Sequence, residues 1–282
     1  MKIIVCGGDE RSVRLIGHLL KAGHEVSALC LEKAALPDGC RTAEEPETAD
    51  AVILPVPAAG ESGLLNAPLG STPCRIEYIL DRAGDGAFII GGRLSAQIVR
   101  AAKERGQSVH DYMLMPEFTA KNAAITAEGA ISRLMDSSEG ALCDKRILVV
   151  GWGRIGKLLL KKLGALCPSV YLMSANPEAR ALASELGFPS LAPNCGAGIL
   201  HGFDAVINTA PAPVIPELCA LKESCRLFEL ASAPGGIDVQ EAGRAGLKCT
   251  VLRALPGKYA PESAALAVFR AVEEILKERG EE

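Results

Sequence analysis

Short apolar runs alternate with amphipathic stretches through the first half of this chain. Runs of β-branched and other apolar residues bounded by turn residues are typical of buried strands, and repeats every three to four positions are typical of helices. This alternation predicts a parallel sheet covered by helices on both faces. The predicted strands are Lys2 to Cys6, Glu25 to Leu31, Ala51 to Val56, Gly86 to Gly91 and Ser108 to Met113, and the predicted helices are Arg11 to Ala22, Ile76 to Ala83 and Ser95 to Arg105.

The same pattern returns after a long helical stretch, Pro116 to Met135, and a polar break at Asp136 to Gly140. The chain closes with an apolar stripe of helical spacing over residues 261–279, long enough to reach back to the first domain. The second set of predicted strands is Arg146 to Val150, Val170 to Met173, Ala205 to Thr209, Leu227 to Leu230 and Cys249 to Leu252, with helices at Glu178 to Leu186 and Ile237 to Ala245.

These patterns predict an α/β protein of two Rossmann-like, doubly wound parallel-sheet domains joined by long helices, with a cleft between them. We expect the domains to comprise residues 1–137, ending in the connecting helix, and residues 138–282, which hold the cofactor.

Composition narrows the choice of partner. Hydrophobic residues make up 49% and charged residues 23% of the 282 positions, which predicts a large core rather than disorder. A net charge of −4 argues against nucleic acid or an anionic membrane surface as the main partner. The sequence has neither an apolar run of transmembrane length nor a signal-peptide pattern, so we expect a cytoplasmic protein, and we expect a homo-oligomer. Its ten cysteines lack metal-ligand spacing, and no metal site is predicted.

The strongest chemical motif is the glycine series Gly151-x-Gly153-x-x-Gly156, which follows a strand and opens a helix. This context is typical of dinucleotide binding: the first glycine permits the turn, the second lets the backbone approach a diphosphate, and the third allows helix and strand to pack closely. Arg154 and Ile155 complete the predicted phosphate-binding turn at the positive end of the helix. The alternative is a glycine-rich turn that binds nothing.

The end of the next strand bears on the choice of cofactor. An enzyme that uses NAD normally has a carboxylate about 20 positions after the first glycine, and Ser174 stands there. A hydroxyl, the amide of Asn176 and the charge of Arg180 suit a 2′-phosphate, so we favour NADP with NAD as the second choice. Glu178 weakens this preference, and Arg180 is alternatively a solvated helix residue. The loop after a later strand, Asn208, Thr209, Ala210 and Pro211, is also predicted to contact the cofactor.

Motifs along almost the whole chain resemble the A subunits of the sporulation dipicolinate synthase family. The glycine series adds little, because many dehydrogenases share it. Two departures stand out: Ala233 replaces an arginine usual in the family, and Glu262-Ser263 replaces Lys-Thr. The motifs are Gly7 to Arg11, Ile53 to Val56, Thr126 to Ile131, Gly151 to Gly156, Ile207 to Thr209, Leu230 to Asp238 and Leu255 to Pro261.

The resemblance implies an oxidoreductase of bacterial spore formation. Its reaction oxidises dihydrodipicolinate, or the hydrated precursor, to dipicolinate with transfer of a hydride to NAD(P)+. It also implies a partner, the flavoprotein-like B subunit of dipicolinate synthase, and a small dicarboxylate substrate.

A dicarboxylate needs hydrogen-bond donors and positive charge. Arg11, at a helix start where open α/β sheets bind ligands, is the first candidate, with Asp9 beside it. Ser232, Gly235 and Gly236 form a loop whose glycines permit close approach to substrate or nicotinamide, and Thr126 is a further candidate for binding substrate.

Three residues are candidates for catalysis: Glu128 as a base or orienting group, Lys258 as a second carboxylate clamp, and His110 as a base. Each has a plain alternative, respectively a helix-face carboxylate, a solvated loop lysine and a structural histidine. The sequence leaves open which group accepts the proton, how the substrate carboxylates are held given Ala233, and whether the B subunit is required for turnover.

Two other functions stay open. The chain is alternatively a generic two-domain NAD(P)-dependent dehydrogenase of another small carboxylate, although no histidine–carboxylate relay is readable. Or it is a non-catalytic nucleotide-binding subunit that delivers substrate to a partner.

Overall fold

The structure is a computed structural model that describes residues 1–60, 63–215 and 217–278. The chain forms two compact units. One comprises Met1–Asn122 together with the described residues from Pro256 onward, and the other comprises Ala123–Leu255.

The first unit is built on a six-stranded sheet in which every strand pair is parallel. The spatial order β3-β2-β1-β4-β5-β6 is that of a dinucleotide-binding fold, and its order reverses between β1 and β4. Its central strands are buried on both faces, which explains their continuous apolar runs. The strands are β1 (Lys2–Cys6), β2 (Glu25–Leu29), β3 (Arg41–Ala43), β4 (Ala51–Ile53), β5 (Phe88–Gly91) and β6 (Ser108–Asp111).

Helices cover both faces of this sheet. One face packs on α1 (Glu10–Lys21) and the other on α2 (Ile76–Ala83) and α3 (Ala96–Lys103). A carboxy-terminal helix, Pro261–Glu278, completes the layer that contains α1 and packs directly against it. The long connecting helix α4 (Pro116–Ser137) begins in the first unit and ends in the second.

The second unit repeats the plan with a second parallel sheet in the order β12-β11-β10-β7-β8-β9, whose order reverses between β7 and β10. Its strands are β7 (Arg146–Val150), β8 (Ser169–Met173), β9 (Ser190–Leu191), β10 (Ala205–Asn208), β11 (Arg226–Glu229) and β12 (Lys248–Val251). Its helices are α5 (Arg154–Gly164), α6 (Pro177–Glu185), α7 (Ala197–Leu200) and α8 (Val239–Arg244). The chain then returns to the first unit at the start of α9 (Leu255–Tyr259), and α10 is Pro261–Glu278 of the first unit.

The predicted α/β class with two doubly wound parallel sheets is confirmed. The short strands β3 and β9 were not predicted, and β6 ends at Asp111, where a turn of 3₁₀ helix over Tyr112–Leu114 replaces the predicted strand end. The predicted last residue of the closing helix, residue 279, lies outside the described residues. None of the described helices has the length and apolar character needed to cross a membrane.

Candidate dinucleotide site and the amino-terminal turn

The glycine series lies at the carboxyl edge of the second sheet, at the point where the strand order reverses. Gly151 follows β7 with a φ of +101°, a conformation that favours glycine. A Cβ on Gly151 would lie 2.7 Å from Oγ1 of Thr209, the residue after the neighbouring β10. The turn and the β10 loop are therefore packed against each other at the place where open α/β sheets bind ligands.

The other two glycines serve different ends. A Cβ on Gly156 would lie 2.1 Å from the carbonyl oxygen of Gly151, so no side chain fits between turn and helix. A Cβ on Gly153 would meet nothing within 4 Å, and Gly153 caps α5 without a side-chain hydrogen bond. The first turn of α5 thus presents backbone N–H groups beside an open surface, which is what binding a diphosphate requires.

Ser174, Asn176 and Arg180 come together at the end of β8. The Oγ of Ser174 accepts a hydrogen bond from the backbone nitrogen of Asn176 (3.2 Å). The side-chain oxygen of Asn176 caps α6 by accepting from the backbone nitrogens of residues 178 and 179. Nη1 of Arg180 donates to the carbonyl oxygens of Ser174 (2.7 Å) and Ala175 (3.0 Å). A guanidinium, a hydroxyl and an amide therefore share the turn where an NAD-type carboxylate would stand.

The β10 loop is held by its own side chains. Thr209 Oγ1 donates to the carbonyl oxygen of Val150 (2.8 Å), which ties the loop to the last residue of β7. Asn208 accepts from the Ala210 nitrogen (3.1 Å) and donates to the Ala210 carbonyl (2.9 Å), while Pro211 is exposed. The predicted cofactor residues 208–211 thus form a loop whose base is fixed to the sheet beside the glycine turn.

Glu229, which was not predicted, holds the next loop. This last residue of β11 is only 2% exposed. Its carboxylate accepts hydrogen bonds from Asn208 Nδ2 and from the backbone nitrogens of Ala231, Gly236 and Ile237. A glutamate at the end of an apolar strand, just before a glycine-rich loop, is the signal in the sequence that could have revealed it, because glutamate is rarely fully buried without hydrogen-bond or ionic partners.

The glycines of that loop are required by space. Gly235 has a φ of +87° and packs on the Glu229 carboxyl group. A Cβ on Gly236 would lie 2.7 Å from the carbonyl oxygens of Ala210 and Ala212 and from Asn208 Nδ2. Ser232 is exposed at the start of the same loop.

The corresponding turn of the first unit differs. Asp9 caps α1 and binds Arg11 in a fork: Nε of Arg11 donates to Oδ1 (2.8 Å) and Nη2 to Oδ2 (2.9 Å). Nη2 also donates to the carbonyl oxygen of Val56 (3.1 Å), after the adjacent strand β4. The Gly8 nitrogen donates to the Asn66 carbonyl (2.8 Å). The nitrogens of Gly8 and Arg11 and two of the three guanidinium nitrogens are therefore used within the unit, whereas the first turn of α5 is left open.

Electrostatics match this geometry. Burial alone would raise the pKa of Asp9, but the hydrogen bonds and charge of Arg11 outweigh it and hold that pKa below its usual value. The space beside the pair, lined by Asp9, Arg11, Val56 and Tyr112, has a volume of about 20 Å³. That is about the space that one water molecule needs.

Residues from the end of the chain reach the same pair. A Cβ on Gly257 would lie 2.6 Å from Oδ2 of Asp9 and 2.8 Å from Nε of Arg11, so the Leu-Pro-Gly segment packs directly on the fork. Lys258 follows it in α9 with its side chain exposed. Arg11, Asp9 and Lys258, predicted from distant parts of the sequence, therefore lie in one region of the first unit.

The remaining candidates lie apart from these groups. Glu128, on α4, forms an ion pair with Lys162 in the last turn of α5 (2.8 Å), at the opposite end of that helix from the glycine turn. His110, on β6, bonds the Ser108 hydroxyl (2.9 Å) and stacks on Phe88. Thr126 is buried in α4. A catalytic or substrate-binding role for these three residues stays a prediction.

Two doubly wound sheets, one of them carrying an open glycine turn at its switch point, define a two-domain protein of the nicotinamide dehydrogenase class of folds. Solved structures share this fold over nearly the full length. The dipicolinate synthase A subunit from Bacillus halodurans superposes with a TM-score of 0.85 at 23% identity, covering 98% of this chain and 97% of that one. A transhydrogenase from Sinorhizobium meliloti superposes with a TM-score of 0.70 at 19% identity, covering 98% and 94% of the two chains.

Sequence comparison is more specific. Residues 2–113 match the family described as the N-terminal domain of the dipicolinate synthase A subunit. The dipicolinate synthase A subunit of Bacillus subtilis (strain 168) is 24% identical over 288 aligned positions, which cover 99% of this chain and 96% of that protein. The chain is therefore similar to the dipicolinate synthase A subunits over nearly its full length, and the resemblance predicted from its motifs is confirmed.

Proposed function

We propose that this protein is an oxidoreductase subunit that oxidises dihydrodipicolinate, or its hydrated precursor, to dipicolinate, with NADP+ as the hydride acceptor. The observation that carries the proposal is the open start of helix α5 at Gly153. It lies between Gly156, where no side chain fits, and the turn at Gly151 that packs against the β10 loop. The names of the relatives, the A subunits of dipicolinate synthase and a transhydrogenase, support the substrate and the reaction class.

In this proposal the second unit holds the cofactor. The N–H groups of Arg154, Ile155 and Gly156 bind the diphosphate, and the Ser174, Asn176 and Arg180 turn binds the 2′-phosphate of NADP. The loops at Asn208–Pro211 and Ser232–Gly236 face the nicotinamide end. When bound, the cofactor supplies a ring that accepts a hydride, and the protein fixes its position.

The first unit supplies charge for the substrate. Arg11 donates to Asp9 and Val56 through Nε and Nη2. Its third guanidinium nitrogen, Nη1, has no hydrogen-bond partner among the described residues. We propose that Nη1 binds one substrate carboxylate while Asp9 holds the guanidinium plane. Lys258, exposed beside Gly257, is the proposed partner of the second carboxylate. In this proposal it supplies the positive charge that the arginine usual in the family would supply at the position of Ala233.

The proposal is tested by turnover. The purified chain is mixed with freshly generated 4-hydroxy-tetrahydrodipicolinate and either NADP+ or NAD+, with and without the flavoprotein-like B subunit, while reduced cofactor and dipicolinate are followed by absorbance. We expect both products to appear in equal amounts and faster with NADP+. Dipicolinate formed only when the B subunit is present, without reduction of the nicotinamide, would contradict the proposal and favour a role in substrate delivery.

A further inference from the structure

Glu229 is the most buried charged side chain of the second unit, and its surroundings are unusual. Four groups donate hydrogen bonds to its two oxygens: Asn208 Nδ2 at 3.0 and 2.8 Å, and the nitrogens of Ala231 (2.7 Å), Gly236 (3.0 Å) and Ile237 (2.7 Å). A carboxylate, which only accepts, satisfies all of them. A glutamine would turn an N–H₂ group toward at least one of these donors.

The donors are neutral. Within the part of the chain that the structure describes, no lysine, arginine or histidine forms an ion pair with Glu229. A buried carboxylate that is held by neutral donors keeps its net negative charge, because no cation within ion-pair distance offsets it. This arrangement leaves a net negative charge directly beneath the loops at the carboxyl edge of the sheet.

Glu229 also joins the two loops beside the glycine turn. Asn208, which it binds, holds Ala210 by two hydrogen bonds, and a Cβ on Gly151 would touch the Ala210 nitrogen at 3.1 Å. On the other side, Glu229 accepts a hydrogen bond from the nitrogen of Gly236, and a Cβ on Gly236 would lie 2.7 Å from the Ala210 carbonyl oxygen. Glycine turn, β10 loop and β11 loop therefore form one continuous packed surface with the carboxylate beneath it.

We propose that Glu229 is a positioning residue for the nicotinamide end of the cofactor, and that its negative charge favours the oxidised form over the reduced form. The inference rests on the proposed function. The oxidised nicotinamide ring carries a positive charge and the reduced ring is neutral, so an uncancelled carboxylate below the surface stabilises only the oxidised one. This bias suits a protein whose task is to bind NADP+ as hydride acceptor.

The test compares dissociation constants of NADP+, NADPH and 2′-phospho-ADP-ribose, which lacks the nicotinamide, for wild type and Glu229→Gln. We expect wild type to bind NADP+ more tightly than NADPH. We expect the variant to lose about tenfold more affinity for NADP+ than for NADPH. Its affinity for 2′-phospho-ADP-ribose should stay within about twofold of wild type.

Two further variants separate charge from structure. Glu229→Asp keeps the charge on a shorter side chain. It should therefore weaken the binding of both NADP+ and NADPH while keeping the ratio of their dissociation constants. Glu241→Gln, an exposed glutamate in the first turn of α8, is the matched control and should change nothing.

Equal losses for NADP+ and NADPH in Glu229→Gln would overturn the charge effect and leave a purely structural role. Should that variant not fold, the wild type decides: tighter binding of NADPH than of NADP+ overturns the inference. A wild type that binds 2′-phospho-ADP-ribose but binds NADP+ and NADPH equally tightly contradicts this inference alone. A wild type that binds none of the three compounds contradicts the proposed function as well.

Discussion

At the scale of single residues, the contrast between the two glycine turns depends on one aspartate. Asp9 caps the start of α1 and accepts hydrogen bonds from the backbone nitrogen and the guanidinium of Arg11. Gly153 leaves the equivalent start of α5 without a side-chain cap. An anionic side chain at a helix start satisfies the same donors and dipole that a phosphate would. Asp9 therefore leaves the first unit without the open helix start that a diphosphate needs, which supports the proposed recognition of a substrate carboxylate by Arg11.

The pH dependence of stability tests the Asp9–Arg11 pair. Because the folded-state pKa of Asp9 lies below its unfolded value of 3.8, the pair stabilises the protein above that pH and loses its effect as pH falls through the folded-state pKa. We expect Asp9→Asn to lower the thermal unfolding midpoint by about 2–4 °C at pH 7. The difference from wild type should shrink below about pH 4.

Asp136→Asn, which breaks an exposed ion pair with Arg133, serves as the control and should shift the midpoint by less than about 1 °C. An Asp9→Asn deficit of the same size at pH 3 and at pH 7 would show that charge is not the source of the effect.

At the scale of elements, the carboxy-terminal helix α10 is part of the first unit's core. Ala265 and Val272 are fully buried against the layer that contains α1, and His24, in the turn after α1, forms a hydrogen bond with Glu273 of α10 (2.9 Å). The Asp9–Arg11 fork lies at the start of α1, and Gly257 packs on that fork shortly before α10 begins. Packing of α10 on α1 therefore fixes the segment that brings Lys258 to this region.

Removing buried volume from α10 tests this contribution. Val272→Ala deletes two methyl groups at a site with no exposure and should cost about 2 kcal/mol, or about 4–8 °C in the unfolding midpoint. Lys277→Ala, on the exposed side of the same helix, is the control. Unfolding midpoints that fall equally in the two variants, or in neither, would contradict the account of α10 as a core element.

The sequence predicted the central strands and most of the helices because their patterns are strong. After one basic residue, β1 and β7 each continue as four apolar residues and are followed by a glycine, and α1 has a clear apolar stripe. The edge strands β3 and β9 have three and two residues with partly polar, half-exposed side chains, so no periodicity marks them. Their pairing comes from the neighbouring strand rather than from their own residues.

At the scale of the whole molecule, the chain uses one sheet order twice and gives the two copies different chemistry. Both sheets reverse their order between the first and fourth strands of the unit. One switch point carries the charged fork of Asp9 and Arg11 and the other carries an open glycine turn. This division supports the proposal that the second unit holds the cofactor and the first unit recognises a substrate carboxylate.

The candidate site was predictable where the motif is local. Gly151, Gly153 and Gly156 follow one another, and so do the residues of the Ser174–Arg180 turn. Glu229 was missed because its partners lie on another strand and on a following loop, and the approach of Gly257 to Asp9 was missed because the two lie at opposite ends of the chain. Contacts of this kind depend on tertiary packing, which a single sequence does not display.

Whether the glycine turn at Gly151–Gly156 binds a dinucleotide is tested most directly by calorimetric titration of NADP+ into wild type, Gly156→Ala and Gly243→Ala. A Cβ at Gly156 would meet the Gly151 carbonyl at 2.1 Å, whereas one at Gly243 would meet nothing within 4 Å. We predict that wild type and Gly243→Ala bind with the same affinity and that Gly156→Ala loses at least about tenfold. Equal binding by all three proteins, or no heat of binding from wild type with either NADP+ or NAD+, would contradict the assignment of the dinucleotide to this turn.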